Sequence, residues 1–193
     1  MRTKLAIVIL NWNGRKFLEK FLPVLIQYRA GYSEIVIADN ASEDDSLAFL
    51  AENYPDIRVI KNDDNWGFAK GYNEALKQVD AQYYCLLNSD IEVSENWIEP
   101  IINLLDSDPS IAAAQPKLRS YAHPDYFEYA GACGGFLDQL GYPFCRGRLF
   151  EVVEKDELQY ENVIDIFWAT GAALFVRSKI YHQIGGLDED FFS

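Results

Sequence analysis

The residues best suited to chemistry in this sequence are short polar side chains that close apolar runs. Asn88-Ser89-Asp90 directly follows the apolar run of residues 83–87. A carboxylate fixed at such a place can hold a hard divalent cation through oxygen, and the cation can bridge a diphosphate. Three further strand-like runs end in the same way. Residues 5–10 lead to Asn11 and Asn13, residues 35–38 to Asp39-Asn40, and residues 57–60 to Asn62-Asp63-Asp64-Asn65. Taken singly, Asn and Asp after an apolar run make turns and caps. All four ends together read as a site.

The elements that must position these groups alternate along the first half. Residues 5–10 form a continuous, β-branched-rich run, the form of a strand buried on both faces. After it, Phe17, Leu18, Phe21, Leu22 and Leu25 fall on one helical face. Ser42 with Asp45 can cap a second helix that carries Leu47, Leu50 and Tyr54 inward. Phe68, Tyr72, Ala75, Leu76 and Val79 line a third helix, and Trp97, Ile98, Ile101, Ile102 and Leu105 a fourth. Strand-then-helix units in series predict an α/β fold: a parallel sheet with right-handed crossovers and helices on both faces. In such sheets ligands bind beyond the carboxyl ends of the strands. Residues 121–160 are rich in Gly and aromatics without a helical period. They predict loops and short antiparallel strands over the mouth of the first half, suited to an acceptor or to a structural cover. Residues 164–168 and 172–176 return to strand character around Thr170-Gly171, and residues 178–184 predict a short helix stopped by Gly185-Gly186.

Several chemistries are excluded. The 193 residues carry a net charge of −13 and 49% hydrophobic content, enough for one substantial core but opposed to nucleic acid or an anionic membrane surface. Most of the acidic residues read as solvated surface. No glycine-rich fingerprint follows the first strand and no P-loop sequence occurs, so dinucleotide-dependent dehydrogenases and P-loop kinases fall away. His123 and His182 belong to no triad. Cys85, Cys133 and Cys145 form no CxxC pair and suggest neither a disulfide framework nor zinc, and Cys85 reads as a buried small hydrophobe. A reducing, cytoplasmic compartment fits. The apolar run after Met1-Arg2-Thr3-Lys4 is too short to span a membrane, and Asn11-Trp12-Asn13-Gly14 is no signal-cleavage site.

Four segments, in order, resemble glycosyltransferase family 2. Residues 8–14 (VILNWNG) look like its first strand and loop, and residues 37–44 (IADNASED) like its nucleoside-binding turn. Residues 65–73 (NWGFAKGYN) resemble the start of its third helix, and Asn88-Ser89-Asp90 stands where the family has its metal-binding acidic motif. Thr170-Gly171-Ala172 and residues 185–192 (GGLDEDFF) look like the rhamnosyltransferase-like branch. The resemblance implies a GT-A fold, Rossmann-like, with a mostly parallel central sheet and a smaller mixed or antiparallel acceptor-side region. One domain of residues 1–193 is expected, with residues 1–120 binding the nucleotide sugar and residues 121–193 facing the acceptor.

By the same resemblance, Asp39 accepts hydrogen bonds from the base or ribose, and Asn11 and Asn13 line that pocket. Asn65, Gly67 and Lys70 lie near the nucleoside and phosphates, with Asn88 and Ser89 beside them. Asp90 binds Mn²⁺ or Mg²⁺. Asn88 replaces the first carboxylate of the family's acidic pair, so metal binding rests on Asp90 and waters. The implied reaction inverts the anomeric centre, moving a sugar from a UDP- or dTDP-sugar to a hydroxyl of a glycan or lipid-linked acceptor. The rhamnosyltransferase-like tail leans towards dTDP-rhamnose. Its localisation is expected to be cytoplasmic, peripheral to the inner face of the membrane. Two other readings stand beside this one: a nucleotide-sugar-binding module or fragment without turnover, and a nucleotidyltransferase, which lacks its glycine-rich basic loop here. Finally, residues 187–193 resemble a segment that continues in related enzymes into another acidic pair. The chain is therefore expected to stop short of its catalytic base, at a frayed end, with Asp188, Glu189 and Asp190 as the nearest candidates.

Overall fold

Strand β1 (Thr3–Asn11) carries Leu5, Ala6, Ile7 and Val8 without exposure on either face. A run of this kind is satisfied only at the centre of a sheet with helices on both sides. β2 (Ser33–Asp39) and β4 (Ala81–Asn88) flank it in parallel. Asn11 stands opposite Asp39 and Leu10 opposite Asn88, so three polar strand ends are level within one residue. β3 (Arg58–Lys61) continues the parallel set beyond β2. The computed structural model describes residues 3–192. Met1 and Arg2, at the head of the first apolar run, and Ser193, where the carboxylate-bearing tail stops, lie outside the described residues.

On the other side of β4 the direction changes. β10 (Ala173–Arg177) pairs antiparallel with β4, Phe175 opposite Cys85, and the short β5 (Ala113–Ala114) pairs antiparallel with β10. The sheet order is therefore β3-β2-β1-β4-β10-β5, mixed but mostly parallel. Arg177 holds this junction: its guanidinium donates to the Ile111 and Asp108 carbonyls at 2.7 and 2.8 Å, to the Leu105 carbonyl, and to Tyr83 Oη at 3.1 Å.

Helices α1 (Arg15–Tyr28), α2 (Ser46–Asn53) and α4 (Glu99–Ser107) cover one face, joining Leu18, Leu22, Leu50, Ile102 and Leu105 to Ile7, Ile37 and Cys85. α3 (Gly67–Leu76) and α5 (Ser178–Gln183) cover the other through Tyr72, Leu76 and Tyr181 against Val8, Tyr84 and Leu86. Gly185 and Gly186 end α5 with φ of +90° and +86°, the left-handed conformation that stops a helix there.

Three sequence expectations need correction. Phe17 is 47% exposed, because the buried stripe of α1 is narrower than five positions. α2 begins at Ser46 and buries Phe49 with Leu50, while Leu47 is half-buried. Ser42 does not cap it. The Ser42 hydroxyl is taken by Asn11 and Asn13, and Asp44 Oδ1 accepts the Ser46 amide at 3.0 Å instead. Residues 164–168 form no strand; Gly135 and Trp168 make a single bridge, and Val163, Ile164 and Phe167 stay exposed for want of a partner strand.

The aromatic-rich region builds a second, four-stranded antiparallel sheet from β6 (Gly135–Leu137), β7 (Pro143–Cys145), β8 (Arg148–Leu149) and β9 (Val152–Val153). It has its own small core of Phe127, Ala132, Cys133 and Cys145. Tyr121, just before it, packs edge-on against Phe21 of α1 with centroids 5.5 Å apart.

Phe175 is fully buried at the antiparallel junction, its ring 5.5 Å from that of Trp97. Phe175→Ala should cost about 3–5 kcal/mol through lost burial and a cavity. Urea unfolding reads this directly, and a loss below about 1 kcal/mol would show that the junction carries little of the fold.

Candidate functional site

The loops after β1 and β2 are one interlocked unit. Asn11 is fully buried, and its Nδ2 donates to Asp39 Oδ2 at 2.9 Å and to Ser42 Oγ at 3.0 Å. Those two bonds fix which way the amide faces, leaving Asn11 Oδ1 buried without a protein partner. Gly14 is required there, since a Cβ at that position would lie 2.4 Å from Asn11 Oδ1. Asp39 is 1% exposed; its other oxygen accepts the Ser42 amide at 3.0 Å. Asn13 adopts a φ of +51°, which Asn tolerates better than most residues. Its Oδ1 accepts the Glu43 and Asp44 amides at 2.7 and 3.2 Å, and its own amide donates to Ser42 Oγ at 3.0 Å. Asp44 closes the unit. Burial pushes its carboxyl upward, but hydrogen bonds from Ser46 and the Arg15 amide outweigh that and hold it below the ordinary carboxylate value.

A second unit joins the ends of β2 and β3 to the start of α3. Asn40, fully buried, donates from Nδ2 to Asn65 Oδ1 at 2.8 Å and to the Gly67 carbonyl at 3.1 Å. Its Oδ1 accepts Asn62 Nδ2 at 2.9 Å, and Asn62 also donates to the Gly71 carbonyl at 3.1 Å. Gly67 has a φ of +71° and donates its amide to Asn65 Oδ1 at 3.1 Å. The next amide, that of Phe68, donates to the Phe192 carbonyl at 2.6 Å. The first two amides of α3 thus have protein partners already. Lys70 sits at the rim, its ammonium 4.8 Å from the centroid of the Trp66 ring.

At the end of β4, the Asn88 amide donates to the Ala172 carbonyl at 3.0 Å, tying the turn to the residue before β10. Asn88 and Ser89 are half-buried and Asp90 is exposed. Ser89 Oγ lies 3.6 Å from where a Gly14 Cβ would stand, so this end adjoins the β1 loop. Its donors are all oxygens of the hard kind: an Asp90 carboxylate, a Ser89 hydroxyl and the Asn88 amide oxygen. They fit Mg²⁺ or Mn²⁺ better than a soft metal. Among the described residues, no three of His, Cys, Asp and Glu cluster as a metal site.

The carboxylate-bearing tail is not frayed, contrary to expectation. Glu189 Oε1 accepts Asn73 Nδ2 at 3.0 Å, Asp188 Oδ1 accepts the Asp190 amide at 3.0 Å, and Phe192 is held by its carbonyl as above. Asp188, Glu189 and Asp190 are nonetheless exposed. The residues singled out from sequence therefore gather as two hydrogen-bonded units on β2, the turn after β4, and a tail carried by α3. Asn40, Asn62, Ser42 and Asn73 were not singled out as site residues, though each makes bonds that the site depends on. Clefts of about 480 and 750 Å³ lie elsewhere, the first at the amino ends of β2 and β3 and the second between α4 and residues 160–166.

A mostly parallel sheet covered on both faces, with its polar groups gathered at the carboxyl edge, defines an α/β domain built to meet its ligand there. The chain belongs to glycosyl transferase family 2, an enzyme family whose sequence model matches residues 6–171, and it has the GT-A fold. It is 24% identical, over its whole length and 67% of the relative's, to an N-acetylglucosaminyl-diphospho-decaprenol L-rhamnosyltransferase of Mycobacterium tuberculosis. Among solved structures it resembles a mannosyltransferase of Pyrobaculum calidifontis in complex with GDP-Man and Mn²⁺, at a TM-score of 0.64 and 15% identity. It also resembles GalNAc-T7 with UDP, GalNAc and Mn²⁺, at 0.71 and 15%. The matches take in 98% and 97% of this chain but only 49% and 38% of those two.

Asn40→Ala would leave Asn62 Nδ2, Asn65 Oδ1 and the Gly67 carbonyl each short of a partner. The expected destabilisation is about 2–3 kcal/mol, the cost of stranding buried polar groups. A change in the urea midpoint equivalent to less than about 0.5 kcal/mol would mean that water replaces the amide and that the unit is not a constraint.

Proposed function

We propose that this domain transfers a sugar from a nucleoside diphosphate to a hydroxyl of a glycan or lipid-linked saccharide, inverting the anomeric centre. The observation that carries the reading is the level register of β2, β1 and β4, which brings the Asn11–Asp39 unit, the Asn40–Asn65 unit and Asn88-Ser89-Asp90 to one edge. Asp39 has two roles in it. It organises the turn, and each of its oxygens keeps a lone pair for the base or ribose. Asn11 and Asn13 shape the pocket wall, Asn65 and Gly67 flank the nucleoside and phosphates, and Lys70 offers a cation at the rim. Asp90, with Asn88 and Ser89 beside it, would hold Mn²⁺ or Mg²⁺, whose charge would neutralise the departing diphosphate. The acceptor oxygen bonds to the anomeric carbon as the bond to the diphosphate breaks, and a carboxylate takes the acceptor's proton. Asp188, Glu189 and Asp190 are the carboxylates of this chain in line for that role.

In this reading residues 1–193 act as one domain, residues 1–120 holding the donor and residues 121–193 facing the acceptor. The mycobacterial relative's name, a rhamnosyltransferase named for a diphospho-decaprenol-linked sugar, supports a rhamnosyl donor and a lipid-linked acceptor. The place of action would be the cytoplasm, peripheral to the inner face of the membrane. Its three cysteines are free and buried, and no helix of the described residues is long and apolar enough to cross a membrane. A binding module without turnover is favoured by one feature, the amide at Asn88 where the family carries a carboxylate. Release of nucleoside diphosphate in the presence of acceptor separates the two.

Asp39→Ala should weaken UDP or dTDP binding by at least about tenfold, or ~1.4 kcal/mol. It should also lower the thermal midpoint, because Asn11 loses a partner. Calorimetric titration well below that midpoint reads the affinity, and an unchanged value would remove Asp39 from the pocket. Asp90→Asn should abolish most of the Mn²⁺ dependence of diphosphate binding. The same metal dependence in variant and wild type would leave Asp90 as a turn residue only.

A further inference from the structure

We infer that Asn73 is a positioning residue whose carboxamide sets the Leu187–Glu189 turn, and with it the Glu189 carboxylate, relative to the nucleotide edge. The inference rests on the reading of that edge given above. Asn73 is 6% exposed on α3 and spends its whole hydrogen-bonding capacity on this one task. Its Oδ1 accepts Tyr181 Oη at 2.5 Å and the Leu187 amide at 2.9 Å. Its Nδ2 donates to the Leu187 carbonyl at 2.8 Å and to Glu189 Oε1 at 3.0 Å. A carboxamide has two protons and two lone pairs, and all four are used. No other side chain of this size offers both kinds of group. Gly186 fits the same arrangement: a Cβ there would stand 2.3 Å from Asn73 Oδ1, and its φ of +86° suits glycine.

The tail is fastened to α3 a second time, by the Phe68 amide on the Phe192 carbonyl. Gly67 is equally committed, since a Cβ there would lie 2.0 Å from the Phe192 oxygen. Asp188, Glu189 and Asp190 lie between these two anchors. Phe68 and Asn73 are separated by roughly 7–8 Å along the helix axis, at 1.5 Å per residue. The carboxylates are therefore hung along one short stretch of a helix whose first residue, Gly67, is bonded to Asn40 and Asn65. α3 thus links the donor side to the carboxylate side as a rigid strut, and Asn73 is the bond that fixes the far end.

The test is Asn73→Asp in the full-length protein. It keeps the side-chain volume, removes both Nδ2 donors and sets a carboxylate against Glu189. The Leu187 amide keeps an acceptor in the Asp side chain, but its turn loses both Nδ2 anchors and faces a second carboxylate, so its exchange should accelerate on the order of tenfold or more. The kcat for sugar transfer should fall on the order of 10–100-fold, the scale of a misplaced reacting group. Donor KM and UDP or dTDP affinity should stay within about twofold, since Asn73 touches no group assigned to the donor and what is lost is the placement of a carboxylate that would act on the acceptor. A merely structural role would lower bound-nucleotide affinity and kcat together, which would overturn the inference. An unchanged kcat with an accelerated Leu187 amide would also overturn it. Should Asn73→Asp not fold, Tyr181→Phe removes one of the four bonds and should give the same pattern in milder form. If the wild-type protein binds nucleotide but transfers nothing to any acceptor, it is the turnover reading that fails. The positioning role is then decided by exchange alone: it survives if the Leu187 amide accelerates in Asn73→Asp and falls if that amide is as protected as in the wild type.

Discussion

A buried carboxylate is costly unless its charge is met by fixed donors, and Asp39 is buried at the end of β2. What meets it is the side chain of Asn11 and the amide of Ser42. Asn11 can reach because β1 and β2 pair in register with Asn11 opposite Asp39. A one-residue slip would put a core side chain at that place and turn the strand's apolar faces over. The hydrogen bond and the register therefore enforce each other. The same bond aims the Asn11 amide, which makes Gly14 obligatory and brings the β1 loop up against Ser89 at the end of β4. Three strand ends are thus located by one buried pair.

From that pair outward, the edge is built almost wholly from amides. Asn13 binds two backbone amides of the neighbouring loop, and Asn40, Asn62 and Asn65 pass hydrogen bonds from β2 to β3 to α3. A carboxamide donates from one atom and accepts on another, so a chain of them can bridge loops that have no regular ladder. Carboxylates at Asn11, Asn40 or Asn62 would leave acceptor facing acceptor. Asn73 extends the scheme to the tail and α5, through Leu187, Glu189 and Tyr181. The fold's irregular parts are tied together by one type of group.

This division explains what was legible in the sequence. Strands β1, β2 and β4 could be read because each holds a continuous apolar run, β3 because Val59-Ile60 precedes the same kind of polar end, and α1, α3 and α4 because their stripes repeat at the helical period. The polar ends were visible as a set, since they share one position relative to the runs. What could not be read was pairing across distance. Residues 172–176 looked like a strand, but their place between β4 and β5, running antiparallel, depends on contacts with residues 83–87 and on the Arg177 clamp. Ser42 carried a capping signal and was drawn instead to Asn11 and Asn13, because a donor from across the sheet won over its own helix. Asn73 closes the resembling segment of residues 65–73, but nothing in that segment shows what its carboxamide binds. It sits among apolar helix positions, and its partners lie more than a hundred residues on.

The amides also bear on charge. The chain has 30 acidic and 17 basic residues, and at the proposed edge Asp39, Asp44 and Asp90 already carry negative charge. A diphosphate approaching such a surface is not drawn in by the protein's overall field, which has the wrong sign and is screened within about 8–10 Å at physiological salt. Local groups must do the holding. Asn rather than Asp at positions 11, 13, 40, 62 and 65 supplies the hydrogen bonds that define loop shape without adding to the charges of Glu43, Asp44, Asp45, Asp63 and Asp64. The exposed Asp90 fits the same logic from the other side. A carboxylate left in solvent, with no ion pair to a Lys or Arg among the described residues, is a place where a divalent ion would add positive charge to an edge otherwise short of it. In the proposed arrangement Asn88 would contribute an oxygen without a second negative charge, so a bound ion would retain more of its charge for the phosphates than it would between two carboxylates.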